Sequence, residues 1–238
     1  IFLRFTVPLQ NPKSMTFAAK VIQFNHSLVR PVGLPGGIKT MNPFENKDVQ
    51  EIVNQFYSKY YNDDNPRILI LGINPGRLGG GTTGIPFTDP IRLAQECEIP
   101  NSMPQRPELS SLFIYDMIKA FGGLQQFYSQ YYFNSICPLG FTKDGKNLNY
   151  YDIPDLQKAL IPYIEENIRA QIALGVSTKT CYCLGEGKNF KFFEKVNEEH
   201  NFFKQVIPLP HPRFIMQYKL KKKEEFVASY LTALQVAK

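Results

Sequence analysis

Asn74 and His211 are the two side chains on which a reaction would turn. Asn74 sits in Gly72-Ile73-Asn74-Pro75-Gly76, held between Ile73 and a Pro-Gly turn. An amide does not titrate usefully, so its use is to hold and orient a water or the edge of a ligand. His211, in Leu209-Pro210-His211-Pro212, is an imidazole fixed between prolines. Such a donor can stabilise charge that develops on a leaving group. Between them lies Thr82-Thr83-Gly84-Ile85-Pro86-Phe87, a rigid turn ending on an aromatic ring. A fixed amide beside a fixed ring suits a planar heterocycle. Taken singly, each residue has a plainer reading. Asn in a turn commonly serves the turn itself, a histidine between prolines is more often structural, and Phe87 alone fits core packing.

The case rests on convergence, which the surrounding elements must supply. Residues 68–71 form a short apolar run that reads as a buried strand. Residues 131–139, 180–184 and 203–209 read as three more. Helical spacing marks residues 17–28, 48–61, 109–121, 152–174, a stretch from Gly187 to about His200, and 224–236. Pro154 falls in the first turn of its helix, where proline is tolerated, and Pro162 predicts a kink. Residues 30–46, rich in Pro and Gly, read as loop. Strands separated by helices predict a three-layer α/β/α sandwich with a central four-stranded, mostly parallel sheet. In such a sheet the strands leading to Asn74 and His211 end on one edge, where ligands bind.

The chain has 238 residues and is expected to form one domain. Its net charge of +6 points weakly to a polyanionic partner, although a merely basic globular protein fits the charge as well. Cys97, Cys137, Cys181 and Cys183 lack the spacing of a metal framework, so buried free thiols and no bound metal are expected. No cofactor motif and no membrane span are read, and a monomer in a reducing cytoplasmic setting (nucleoid-associated, or nuclear in a eukaryote) is expected. Residues 1–14 are read as an extended or non-native N-terminus ahead of Met15.

Gly72-Ile73-Asn74-Pro75-Gly76, then Gly79, then Thr83-Gly84-Ile85-Pro86-Phe87, resembles the first motif of the single-strand-selective monofunctional uracil-DNA glycosylases. Asn42-Pro43-Phe44-Glu45 is similar to a segment upstream of that motif. Cys137-Pro138-Leu139 with Gly145-Lys146-Asn147-Leu148 is similar to the family's middle strand and loop, and Leu209-Pro210-His211-Pro212 falls where the second catalytic motif belongs. The resemblance implies a monofunctional DNA glycosylase that excises uracil or related deaminated bases in base excision repair, with DNA as partner. It implies that His211 donates to O2 of the departing uracil and that Asn74 holds the attacking water. Gly72, Ile73, Gly76 and Phe87 would line the base, with Phe87 stacking on it, and backbone at Gly84 would approach base or phosphate. Arg213, Phe214, Ile215 and Met216 would enter the duplex as the base leaves, with Lys219 and the following lysines on phosphates. That lysine run reads equally as the solvated start of a helix.

Three departures qualify the likeness. The family's pyrimidine-reading Asn on the middle strand is replaced by Ser135, with an Asn one residue earlier, at Asn134. A one-residue step on a strand changes the face. Either Ser135 reads the base through a hydroxyl, the favoured reading, or a bulge turns Asn134 inward. A hydroxyl donates and accepts, which loosens the discrimination of uracil and admits xanthine or hypoxanthine. The step from His211-Pro212 directly to Arg213 is shorter than in the family. Gly79-Gly80-Gly81 predicts a flexible first loop. Two other readings stand beside the enzyme: a non-catalytic nucleic-acid-binding relative, and a nucleotide or phosphate binder using the Gly-rich loop, which lacks a P-loop ending.

Overall fold

The computed structural model describes residues 15–236, so the expected extension at residues 1–14 lies outside the described residues. In chain order the elements are α1 (Phe17–Ser27), β1 (Ile38–Met41), α2 (Lys47–Tyr60), β2 (Ile68–Gly72), α3 (Gly80–Thr83), α4 (Pro90–Gln95), α5 (Leu109–Phe121), α6 (Leu124–Tyr128), β3 (Tyr131–Ser135), β4 (Gly140–Lys143), β5 (Lys146–Leu148), α7 (Pro154–Ala173), β6 (Thr180–Leu184), α8 (Lys188–His200), β7 (Gln205–Leu209), α9 (Pro212–Tyr218) and α10 (Lys223–Val236). Local chemistry sets several helix starts. Asn46 caps α2 by accepting from Asp48 N at 2.9 Å, and Asp89 caps α4 by accepting from Arg92 N at 2.8 Å. Pro162 lies inside α7 without ending it, and the helix runs on to Ala173. No described helix is long and apolar enough to cross a membrane.

The main sheet has four strands in the order β3-β2-β6-β7, all parallel. Its register aligns Gly72 with Ser135 and Leu184 with Leu209, so the strands finish together at one edge. Alternation along β3 sorts its side chains. Tyr131 reaches α10 through a hydrogen bond from its hydroxyl to Leu234 O, and Phe133 stacks on Phe127 of α6. Tyr132 faces the other way, against Phe17 of α1 and Tyr57 of α2. Helices thus cover both faces, and the strands are buried except at Ile68, the first residue of β2, and along β7. All four cysteines are free and buried.

Two parts of the sequence reading change. The 131–139 strand ends at Ser135. Ile136 N and Cys137 N still donate to Gly72 O and Ile73 O, but Pro138 has no N–H to continue the ladder, and the chain turns into β4. The Pro- and Gly-rich 30–46 segment is not all loop. Its β1 pairs antiparallel with β4, and β4 pairs with β5, making a second, three-stranded sheet. That small sheet forms one wall of the cleft at the carboxyl edge of the main sheet.

Candidate active site

Beyond β2, β3 and β7 the surface opens into a cleft of about 300 Å3. Asn74, Phe87, Ser135 and His211 line it together, with Ile73, Gly76, Arg213 and Phe214. The convergence expected from a parallel sheet is therefore present.

Asn74 is held at both ends of its amide. Its Nδ2 donates to Leu148 O at 3.0 Å, and its Oδ1 accepts from Tyr150 N at 2.9 Å. Both partners are backbone groups at and just beyond β5. The second sheet therefore fixes which end of the amide is oxygen and which is nitrogen. One N–H and one lone pair remain for a ligand.

His211 is the N-cap of α9, directly ahead of Pro212 at the first helical position. Its Nδ1 accepts from Arg213 N at 3.1 Å. Accepting at Nδ1 leaves the proton of the neutral ring on Nε2. Burial, and then the positive charge of Arg213, push its pKa from 6.5 down to about 4. At neutral pH His211 is thus a neutral donor with one tautomer set by the backbone.

Phe87 has a φ of 54°, in the left-handed region, and its ring packs edge-on to Phe133 at 5.3 Å and lies 6.2 Å from the His211 ring. A Cβ on Gly72 would meet that ring, so Gly72 belongs beneath the cleft as a clearance. Ser135 is two residues from Phe133 and shares its face, which brings it to the cleft floor.

Several expected residues are placed elsewhere. Asn134 points to the opposite face of β3, where its Nδ2 donates to Tyr132 Oη at 2.8 Å and its Oδ1 accepts from Ser135 N at 2.8 Å. No bulge turns it inward, because β2 and β3 pair residue for residue up to Gly72 and Ser135. Gly84, at φ 73°, faces the core: a Cβ there would stand 2.7 Å from Val53 and 3.0 Å from Val49. Ile215 is fully buried and Met216 packs against the core, so neither is presented to a duplex. The helical turn of α9 instead presents Phe214 and Tyr218, which are exposed and lie 5.7 Å apart ring to ring. Arg213 and Lys219 are exposed, whereas Lys222 pairs with Glu225 and Lys223 with Asp116. The Gly79-Gly80-Gly81 run is not a free loop. Gly79 N and Gly81 N both donate to Gly76 O, and a Cβ on Gly81 would stand 2.7 Å from that same oxygen. These glycines permit close packing.

One group in the cleft was not singled out from sequence. Glu108 is the N-cap of α5, but its side chain caps nothing and turns into the cleft. Only its position in an unremarkable Pro-rich stretch, Pro104 to Glu108, precedes a helix that could have drawn notice. Away from the cleft, Glu165, Glu199 and His200 bring three potential ligand atoms within 4.8 Å of one another. There Arg169 donates to His200 Nδ1 at 3.1 Å, which puts the ring proton on Nε2, 3.2 Å from Glu165. With Nδ1 engaged by Arg169 and the proton on Nε2, the ring has no free lone pair to offer a cation, and the neighbouring guanidinium repels one.

The geometry has counterparts among known proteins. The family model of the uracil DNA glycosylase superfamily matches residues 58–235. The crystal structure of wild-type Pedobacter heparinus SMUG2 is 55% identical in sequence, with a TM-score of 0.91, over 94% of this chain and 98% of that one. A family model spanning both the Asn74 and the His211 segments, and a near-complete structural match at that identity, place the chain: it belongs to the uracil DNA glycosylase superfamily and is a DNA glycosylase, a hydrolase of N-glycosidic bonds.

Proposed function

We propose that the protein excises uracil and related deaminated bases from DNA, as the opening step of base excision repair, with Asn74 and His211 as its catalytic residues. The observation that carries this reading is their presence in one cleft, with Phe87 beside them.

The bond to be broken joins C1′ of the sugar to a ring nitrogen of the base. As it lengthens, negative charge gathers on the base and positive charge on the sugar. Nε2–H of His211 donates to the base, chiefly at O2 of uracil, and a single such donor contributes about 3–4 kcal/mol of barrier reduction. A neutral imidazole suits this task because it stays a donor without needing to be charged. Asn74, its amide locked by Leu148 and Tyr150, holds the water that adds to C1′. No side chain of these motifs suits a covalent nucleophile, so the product is an abasic site in an intact strand.

The flipped base stacks on Phe87, a contact of roughly 1–3 kcal/mol. Flipping costs a few kcal/mol, and Phe214 with Tyr218 at the cleft mouth offset part of it by filling the vacated stack. Arg213 and Lys219 approach the phosphates. Ser135 supports a wider substrate range that includes xanthine and hypoxanthine, because its hydroxyl rotates to donate or accept.

The test is a set of gel-purified oligonucleotides, each with one uracil, xanthine or hypoxanthine, treated with protein and then with alkali. Strand scission at the lesion, lost in His211→Ala and Asn74→Ala, is expected. Absence of scission on every lesion refutes the reading.

A further inference from the structure

Glu108 brings a carboxyl group to a cleft that otherwise holds no proton acceptor. Asn74 does not titrate, and both ends of its amide are engaged by backbone. Nδ1 of His211 is occupied by Arg213 N, and Nε2 already carries the ring proton. Arg213 is a permanent cation. Among the residues lining the cleft, Glu108 is the single carboxyl group.

Its placement is built, not incidental. The side chain leaves the end of α5 without capping it and makes no hydrogen bond or ion pair with any described residue. It lies instead across the Gly76–Gly79 turn. Oε1 is 3.3 Å from where a Cβ on Gly76 would sit, and Asn147 Nδ2 is 3.4 Å from the same point. Any side chain on Gly79 would collide with the carboxyl group. Two glycines thus clear the space that admits the carboxylate beside the loop carrying Asn74, and its main chain is pinned by Glu108 N donating to Asp89 Oδ2 at 2.9 Å.

We infer that Glu108 is the base of the reaction, taking the proton of the water that Asn74 holds as that water adds to C1′. This rests on the function proposed above. The C1′–N bond breaks with its electron pair passing to the base, which is met by Nε2–H of His211. The C1′–O bond forms from water, and the displaced proton moves to the Glu108 carboxylate and then to solvent as product leaves.

The charges around Glu108 set when it can act. Burial raises its pKa and Asp89, at the start of α4, raises it further; Arg213 of α9 lowers it; the balance stands at about 7. Arg77 in the same turn and Lys146 on β5 are exposed, and His211 stays neutral through this range. A base with this pKa is half ionised at neutral pH, which suits proton transfer there.

The experiment is single-turnover excision of uracil from a labelled oligonucleotide between about pH 5 and 9, using wild type, Glu108→Gln and Arg213→Gln. Wild type is expected to gain rate with rising pH to a plateau, with a midpoint near 7. Glu108→Gln is expected to lose that rise and to fall roughly 100-fold at the plateau, while still binding uncleaved DNA and melting as a folded protein. Arg213→Gln is expected to move the midpoint upward, because a cation that favours the carboxylate is gone. A Glu108→Gln protein that keeps the wild-type pH profile, whatever its rate, overturns the inference. If that variant does not fold, an unmoved midpoint in Arg213→Gln overturns it equally. A wild type that releases no base from any lesion refutes the proposed function itself.

Discussion

A Cβ on Gly72 would stand 2.7 Å from Cζ of Phe87. The last residue of β2 is therefore bare so that an aromatic ring can lie over the strand end. Phe87 reaches that position only in the left-handed backbone region, at φ 54°, a conformation that costs on the order of 1 kcal/mol for a side chain of this kind. Packing on Phe133 and the Pro86 constraint hold it there.

Gly72→Ala is expected to push the ring out of register, lowering both melting temperature and excision rate. Phe87→Ala is expected to lower kcat/KM about 5- to 150-fold, the equivalent of a lost base stack. Phe87→Leu, which keeps bulk but not the flat face, is expected to recover stability and not activity. Thermal melts beside single-turnover kinetics separate the two effects.

Asn74 carries a structural duty as well as a chemical one. Asn74→Ala leaves Leu148 O and Tyr150 N without partners and is expected to cost about 1–3 kcal/mol of stability in addition to activity. Asn74→Asp places an oxygen against the Leu148 carbonyl oxygen and is expected to be no better. Denaturant melts of both variants check this, and unchanged stability in Asn74→Ala contradicts it.

For His211 the expected loss on change to Ala is about 3–4 kcal/mol of barrier, or 10²- to 10³-fold in rate. Its pH behaviour has a definite sign. The folded pKa of about 4 lies below the ordinary 6.5, so the native state binds this proton less readily than the unfolded chain. The stability this contributes is complete above about pH 6.5 and is lost as pH falls from there toward 4. Wild type is expected to lose more stability than His211→Ala across that window. An NMR titration is expected to show a neutral ring, protonated on Nε2, at pH 6.

The face of α9 divides into a buried side and a presented one. Ile215→Ala is expected to cost 2–5 kcal/mol of stability, as a fully buried side chain does. Phe214→Ala and Tyr218→Ala are expected to leave stability near wild type and to slow excision from duplex more than from single-stranded DNA, where no stack must be broken. Lys219→Ala is expected to reduce the salt slope of DNA binding by about 1, which filter binding or anisotropy at several salt concentrations measures.

What could be read along the chain follows from periodicity and punctuation. The apolar runs at β2, β6 and β7, the amphipathic spacing of α2, α5 and α8, and the Pro-Gly turns after β2 are each set by near neighbours, so they are visible without a fold. The parallel order then followed from alternating strands and helices, and it brought Asn74 and His211 to one edge. The short strands β1, β4 and β5 were not visible, because runs of three or four mixed residues gain their regularity only from the strand opposite.

Side-chain direction was the larger gap. Asn134 and Ser135 differ by one position, and only the register of β3 against β2 decided which of them meets the cleft. Ile215 and Phe214 are likewise neighbours, and only the docking of α9 decided which is core. Glu108 shows the limit most plainly: it lies 34 positions from Asn74 in sequence and joins the site because α5 begins against the Gly76–Gly79 turn. Sequence alone determined the elements, the strand-end motifs and the family they resemble, since these depend on local propensity and spacing. The tertiary structure decided the tautomer of His211, the orientation of the Asn74 amide and the presence of the Glu108 carboxyl group in their cleft, since each of these depends on hydrogen bonds or packing between segments that are distant along the chain or set only once it folds.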